Sequence, residues 1–294
     1  MAKKFSKPIL SRKINGDLPF VSQKIVDETP AKVRLDVALF EQYSRYSRSV
    51  LQKFIKNSQV LVDGQIINRP NTQINADAKL ELKLAEVSPE DAKPPIIYED
   101  DNVIVFNKPA GMLSIKKGVF CIEPSIDDYG EIVHRLDRDT SGVIIVAKNL
   151  ETKGFLQQQF QERKAHKTYY AVTVGTPKEP HAIIDIRLTR NLKRPTTFMT
   201  TNDGREAVTE YQVIEQGKKR ALLELKPRTG RTHQLRIHLA YIGAPILGDK
   251  VYNPKGPKAD RMYLHASVLE ITIPGGKRLT FTAPLPEEFR HAIK

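Results

Sequence analysis

Between Val103 and Ala283 one pattern recurs: short runs of β-branched and apolar residues separated by polar turns. VIVF (103–106), VIIVA (143–147), YYAVTV (169–174), AIIDI (182–186), VTEYQVI (208–214) and ALLEL (221–225) all read as strands. SVLEIT and RLTFTA flank Pro274-Gly275-Gly276, the signature of a hairpin. Helical periodicity is confined to roughly 151–163 and 232–241, where Leu235 and Leu239 stand one turn apart. Regular strand–helix–strand units do not recur, which argues against a doubly wound nucleotide-binding sheet. The pattern predicts an α+β domain: a mixed, largely antiparallel sheet with helices packed on it.

Upstream the pattern is different. Residues 34–43 (RLDVALFEQY) place Leu35, Ala38 and Leu39 on one helical face. Ser47 is a candidate N-cap for a second helix whose Val50, Leu51, Phe54 and Ile55 keep the helical period. Arg45, Arg48, Lys53 and Lys56 fall largely off that face. VLVDGQII follows, two β-rich runs turning through Asp63-Gly64. Residues 33–84 therefore read as a small helix–helix–hairpin unit with a basic surface. The plain reading of that surface is a solvated face, and the sharper one is a nucleic-acid-binding module. Residues 1–32 read as a basic tail. AEVSPEDAKPP (85–95), acidic and proline-containing, reads as the linker to a second domain spanning 96–294.

Charge narrows the choice of partner. Lys and Arg number 47 against 34 Asp and Glu, a net charge of +13. Such a balance favours a polyanion, because each neutralised phosphate releases a counterion. A single cysteine, Cys121, excludes an intramolecular disulfide framework and suits a reducing compartment. The N-terminus lacks the apolar core of a secretory signal, and no run reaches membrane-spanning length. The expectation is a cytoplasmic, monomeric protein with no membrane partner.

HRLDRDTSG (134–142) stands immediately before the VIIVA strand and sets Asp137 and Asp139 among three basic side chains. DRDTS superficially matches the Asp-x-Asp-x-Thr pattern of phosphatases that form an aspartyl phosphate. Those enzymes need Mg²⁺ and further carboxylates, and their apolar strand precedes the first Asp. Asp-Thr-Ser-Gly also occurs in aspartic proteases, which require two such carboxylates, whereas this chain has one copy. A third chemistry uses one ionised Asp against a sugar inside a basic cleft. Neighbouring arginines would hold the carboxylate charged and neutralise RNA phosphates. This explains acids among bases better than either rival.

HRLDRDTSG resembles the signature motif of the RluA-type pseudouridine synthases, which isomerise uridine in ribosomal and transfer RNA. DDNVIVFNKPAG (100–111), KTYYAVTVG (167–175) and RTGRTHQLRIHLAYIGAPILGD (228–249) are similar to three further motifs of that family, in family order. RLD, SRS and VLVDG in residues 33–84 are similar to the S-four RNA-binding domain that many members carry.

The resemblance implies that Asp137 is the catalytic aspartate, Tyr169 the tyrosine that stacks on the target base, and Arg236 the arginine paired with Asp137. Arg231 is the rival for that pairing, with phosphate contact as its other role. Arg135 is implied to face RNA near the flipped base; Arg231, Arg34, Arg45, Arg48 and Lys53 complete the RNA-binding set. No metal, nucleotide or redox cofactor is implied. The likeliest substrate class is large-subunit ribosomal RNA, with transfer RNA as the alternative.

Other residues read as structural. Asp139 is expected to cap the DTSG turn, with Asn107, Lys108 and Pro109 shaping the cleft floor. His233 and His238 lie five apart, not at the four-residue spacing of a metal pair, and read as structural or RNA-contacting. Two departures stand out. Residues 112–133 are short for the family and lack its His-Pro. Asn57-Ser58 replaces a usual glycine, with Asn expected to take the left-handed conformation of the helix end.

Overall fold

The computed structural model describes residues 31–44, 46–83, 93–116 and 125–294. Residues 1–30 of the basic tail, most of the 85–95 linker, Arg45 and Cys121 lie outside the described residues. The chain divides into two compact units, Met1–Leu84 and Ala85–Lys294.

In the first unit the helices Leu35–Gln42 and Arg48–Lys56 pack through Leu35, Leu39, Leu51, Phe54 and Ile55. Val60–Val62 is the middle strand of a three-stranded antiparallel sheet, between Gln65–Ile66 and Leu80–Leu82. The hairpin turns at Asp63-Gly64 as expected, with both residues at positive φ (50° and 80°). Lys32–Arg34 pairs antiparallel with Gln73–Asn75. Two details differ from the sequence reading. Ser47 occupies the N-cap position, but its hydroxyl bonds to Ser49 Oγ (3.0 Å) and caps no amide. Ser58, not Asn57, takes the left-handed conformation (φ 60°), one residue beyond the helix cap.

The second unit is built on a ten-stranded sheet. Its main path runs His181–Asp185, Val208–Gln216, Arg220–Pro227, His166–Val174, Leu264–Thr272, Ser141–Ala147, Val103–Lys108 and Ile96–Glu99. Arg278–Thr282 pairs with Leu264–Thr272, and Glu131–Ile132 with Ser141–Ala147. Every pairing of these strands is antiparallel except one, the parallel junction of Leu264–Thr272 with Ser141–Ala147. This is the mixed, largely antiparallel sheet the sequence predicts.

Both faces of the central strands are covered. Val103, Val105, Val143 and Ile145 pack on one side with Leu156 from the helix Leu150–Gln161. Ile104, Phe106, Ile144 and Val146 pack on the other with Leu136 and Ile126. Burying each large side chain adds about 1.5–3 kcal/mol, so this double layer is a rigid platform for the loop that enters it.

That loop ends in Gly142. The parallel junction brings Ala266 so close that a Cβ on Gly142 would lie 2.1 Å from its carbonyl oxygen, and φ is +113°. Only glycine permits both. The Gly of DTSG is therefore there to let two halves of the sheet join, and the acids just before it are delivered to the middle of the sheet.

Candidate active site

Asp137 stands in the loop leading into the Ser141–Ala147 strand. Its two neighbours are pinned from behind by residues 108–114. Ser114 Oγ donates to the Leu136 carbonyl (2.8 Å) and accepts from the Leu136 amide (3.1 Å). Lys108, fully buried, donates to the carbonyls of Pro109, Met112 and Arg138 (3.0, 2.8 and 3.0 Å). Burial lowers the Lys108 pKa to about 7 against the opposing pull of Asp139 and Asp137. The three carbonyls match the three hydrogens of its ammonium form. The expected cleft floor is thus a brace for the loop. Asp139 does not act as the expected cap: it is exposed, and the turn closes through the Thr140 amide on the Asp137 carbonyl (3.1 Å).

Asp137 keeps 18% of its side-chain surface and borders a cleft of about 530 Å³. Arg236 Nη1 lies 3.1 Å from its Oδ2. The rest of the Arg236 fork is occupied: Nε and Nη2 donate to the two oxygens of Asp249, both at 2.8 Å. Asp249, 1% exposed, also accepts the amides of Val251 (2.8 Å) and Tyr252 (3.0 Å). Burial opposes its ionisation, but the Arg236 contacts outweigh this and hold its pKa below the usual carboxylate value. For Arg236, burial is likewise outweighed by Asp249 and Asp137, which raise its pKa. The guanidinium lies 5.1 Å over the Tyr252 ring, a further cation–π restraint.

Arg236 can reach Asp137 because the preceding loop is locked. Gln234, buried, accepts from Thr229 Oγ1 (2.7 Å) and the Arg231 amide (3.0 Å), and donates to the Val208 carbonyl and Thr209 Oγ1 (both 3.0 Å). His233 takes the left-handed conformation (φ 58°) and the helix starts at Gln234, two residues later than predicted. A non-glycine residue there costs about 1–2 kcal/mol, and the turn directs His233 Nε2 toward Asp137 Oδ2 at 3.9 Å. His238 is buried on Thr209 Oγ1 (2.9 Å) and the Ile186 carbonyl (3.2 Å), a structural position.

Tyr169 lines the cleft from the His166–Val174 strand, one residue past a register shift at Thr168/Tyr169. Burial first, and Asp137 second, raise its pKa, so it stays a neutral phenol. Tyr170 packs with a different cluster and donates to Glu224 (3.1 Å), as strand alternation requires. Arg135 and Arg231 also line the cleft. Arg231 does not pair with Asp137; its Nε donates to the Glu206 carbonyl (3.0 Å).

Five sequence-predicted residues, Asp137, Tyr169, Arg236, Arg135 and Arg231, therefore meet in one cleft. Arg34, Arg48 and Lys53 belong to the other unit. Arg34 and Arg48 converge on buried Asp36 (3.0 and 2.9 Å) with their side chains 46% and 49% exposed. Lys53 is exposed in the last turn of its helix.

Sequence reasoning assigned no role to Asp249, Tyr252, Ser114 or Lys167, which also lines the cleft. The one signal for Asp249 was its place at the end of the 228–249 motif. Among the described residues, no three His, Cys, Asp or Glu side chains gather as a metal site would require. The nearby carboxylates Asp137 and Asp249 are bridged by Arg236. Also among the described residues, no helix is long and apolar enough to cross a membrane.

Comparison with known proteins shows the family. The RNA pseudouridylate synthase family matches residues 102–241, and the S4 domain matches residues 33–80. The chain is 31% identical to ribosomal large subunit pseudouridine synthase D of Xanthomonas campestris over 303 residues, covering 92% of this chain and 91% of the relative. It is 32% identical over 302 residues to the Escherichia coli protein of the same name, covering 92% of each. An uncharacterized RNA pseudouridine synthase of Aquifex aeolicus is 34% identical, over 79% of this chain and 80% of the relative. Among solved structures, human RNA pseudouridylate synthase domain containing 1 aligns at a TM-score of 0.58 and 26% identity, covering 69% of this chain and 87% of that one. Human RNA pseudouridylate synthase domain containing 4 aligns at 0.55 and 28%, covering 67% and 91%. With an S4 domain ahead of a catalytic domain whose motifs converge on one cleft, the chain belongs to the RluA-type RNA pseudouridine synthases, isomerases that act on RNA.

Proposed function

We propose that this enzyme isomerises particular uridines of large-subunit ribosomal RNA to pseudouridine, with Asp137 as its catalytic group. The observation that carries the reading is the carboxylate of Asp137, accessible in the cleft, tied to one nitrogen of Arg236 and bordered by Tyr169. The reaction breaks the bond from N1 to C1′, turns the uracil and joins C5 to C1′. The C5 proton leaves and N1 gains one, so atoms balance without a co-reactant. Because the base stays in the site, no second carboxylate is needed to activate water, unlike an inverting glycosidase.

In this reading Arg236 fixes the carboxylate and offsets its charge beside the phosphates, while Asp249 fixes Arg236. Tyr169 offers a neutral ring on which a uracil that has left its stack can lie. Extracting the base from structured RNA costs roughly a few kcal/mol, which Arg135 and the S4 unit offset through RNA contacts. Ribosomal RNA is favoured over transfer RNA because relatives matched over 92% of this chain carry ribosomal large subunit names.

Tritium at C5 of uridine tests this directly, since joining through C5 expels the label. Release is expected from large-subunit ribosomal RNA and not from transfer RNA. The reverse pattern would contradict the substrate assignment.

A further inference from the structure

The two nitrogens of His233 have different surroundings, and the proposal below takes the tautomer with hydrogen on Nε2. Tyr252 Oη accepts the Phe198 amide at 3.0 Å and lies 2.9 Å from His233 Nδ1. With the phenol as the donor of that pair, Nδ1 is the acceptor. A neutral imidazole has one N–H, and it is then on Nε2. That nitrogen faces Asp137 Oδ2 at 3.9 Å, beyond hydrogen-bond range, and the ring borders the cleft.

Burial, with Arg236 and Arg135 nearby, keeps the ring neutral against the pull of Asp137 and Asp249. His233 also has a left-handed backbone (φ 58°). Strained positions of this kind collect where function over-determines the local structure.

We propose that His233 is a further catalytic residue, whose Nε2–H donates a hydrogen bond to O2 of the uracil as the base leaves the sugar. When the N1–C1′ bond breaks, its electron pair stays on the base and the charge spreads over N1, O2 and O4. O2 is the base oxygen beside N1, at the end of the nucleotide where Asp137 works. No proton is transferred: Nε2 keeps its hydrogen, and the bond relaxes when C5 joins C1′. Tyr252 acts through His233 as a positioning residue that fixes the tautomer. The proposal rests on the reading of Asp137 given above.

Nitrogen-15 NMR of the intact protein reads the tautomer independently of turnover. Hydrogen on Nε2 of His233 is expected, and hydrogen on Nδ1 would overturn the proposal. Single-turnover rates at saturating ribosomal RNA then test the donor. His233→Ala should lose about 100-fold, the usual effect of one such donor, with little change in KM. His233→Gln, whose amide reaches the Nε2 position, should regain about tenfold of that. RNA with 2-thiouridine at the target replaces O2 by a poorer acceptor. Wild type should slow on it, whereas His233→Ala should treat both RNAs nearly alike. Equal penalties in the two proteins, or Ala and Gln variants equally impaired, would overturn this proposal alone. Failure of wild type on ordinary uridine would instead strike the reading of the site.

Discussion

Asp36 and Asp137 both sit against arginines, and they differ in what those arginines leave open. Asp36, in the N-terminal unit, is fully buried and receives Arg34, Arg48 and Gln52 on its two oxygens. Asp137, in the catalytic unit, receives one nitrogen of Arg236 and keeps an open side on the cleft. In the catalytic unit the saturated role falls to Asp249, which absorbs the remainder of the Arg236 fork. Residue type does not separate structure from chemistry here. What separates them is burial and the number of donors: Asp36 and Asp249 are buried and take several, whereas Asp137 takes one and faces the cleft.

The largest loss is expected on removing Arg236. Arg236→Met strands Asp249, buried and ionised, without its partner. Leaving one member of such a pair costs about 3–5 kcal/mol, and Asp137 loses its anchor in the same step. Urea unfolding and single-turnover kinetics should both report large losses. A variant that kept wild-type stability would show that Asp249 does not depend on Arg236.

The Asp36 cluster should show in stability and its pH dependence. Burial would raise this pKa, but the contacts from Arg34, Gln52 and Arg48 outweigh it and lower it to about 2, against 3.8 for a free aspartate. A depressed folded value gives stability that is present above about pH 4 and lost as pH falls toward 2. The shift corresponds to about 2 kcal/mol. Asp36→Asn should therefore lower stability by about that amount at pH 7 and flatten the acid limb between pH 4 and 2. An unchanged acid limb would mean that Asp36 is not held by its arginines.

The smallest effect is expected at Arg34. Its side chain is half exposed, so Arg34→Gln should cost no more than about 1 kcal/mol while weakening RNA binding in a salt-dependent way. A loss as large as that of Asp36→Asn would make Arg34 mainly a structural residue.

The sequence showed some of this and hid the rest for physical reasons. The apolar runs at 103–106, 143–147 and 221–225 were legible because strand content is local, as was the Asp63-Gly64 turn. The parallel junction was not, since it joins residues more than a hundred apart and its only local trace is Gly142. Strands such as Gln73–Asn75 and Leu188–Arg190 carry no apolar run and are defined by their partners. Asp137, Tyr169 and Arg236 stood inside recognisable motifs. Asp249 was in view but read only as the end of a motif, because its meaning comes from Arg236 folding back thirteen residues onto it. His233 looked like half of a failed metal pair. Its left-handed backbone and its bond to Tyr252 are tertiary facts, and periodicity carries no trace of them.

In this molecule the open carboxylate, Asp137, is expected to do the chemistry and the enclosed one, Asp36, to hold structure. Tritium release from ribosomal RNA, measured per folded molecule for Asp137→Asn and Asp36→Asn side by side, tests it most directly. A folded Asp137→Asn protein should show release lowered by about 10⁴-fold or more, and an Asp36→Asn protein should be less stable but close to wild type in turnover on saturating RNA. Wild-type release from Asp137→Asn would contradict it.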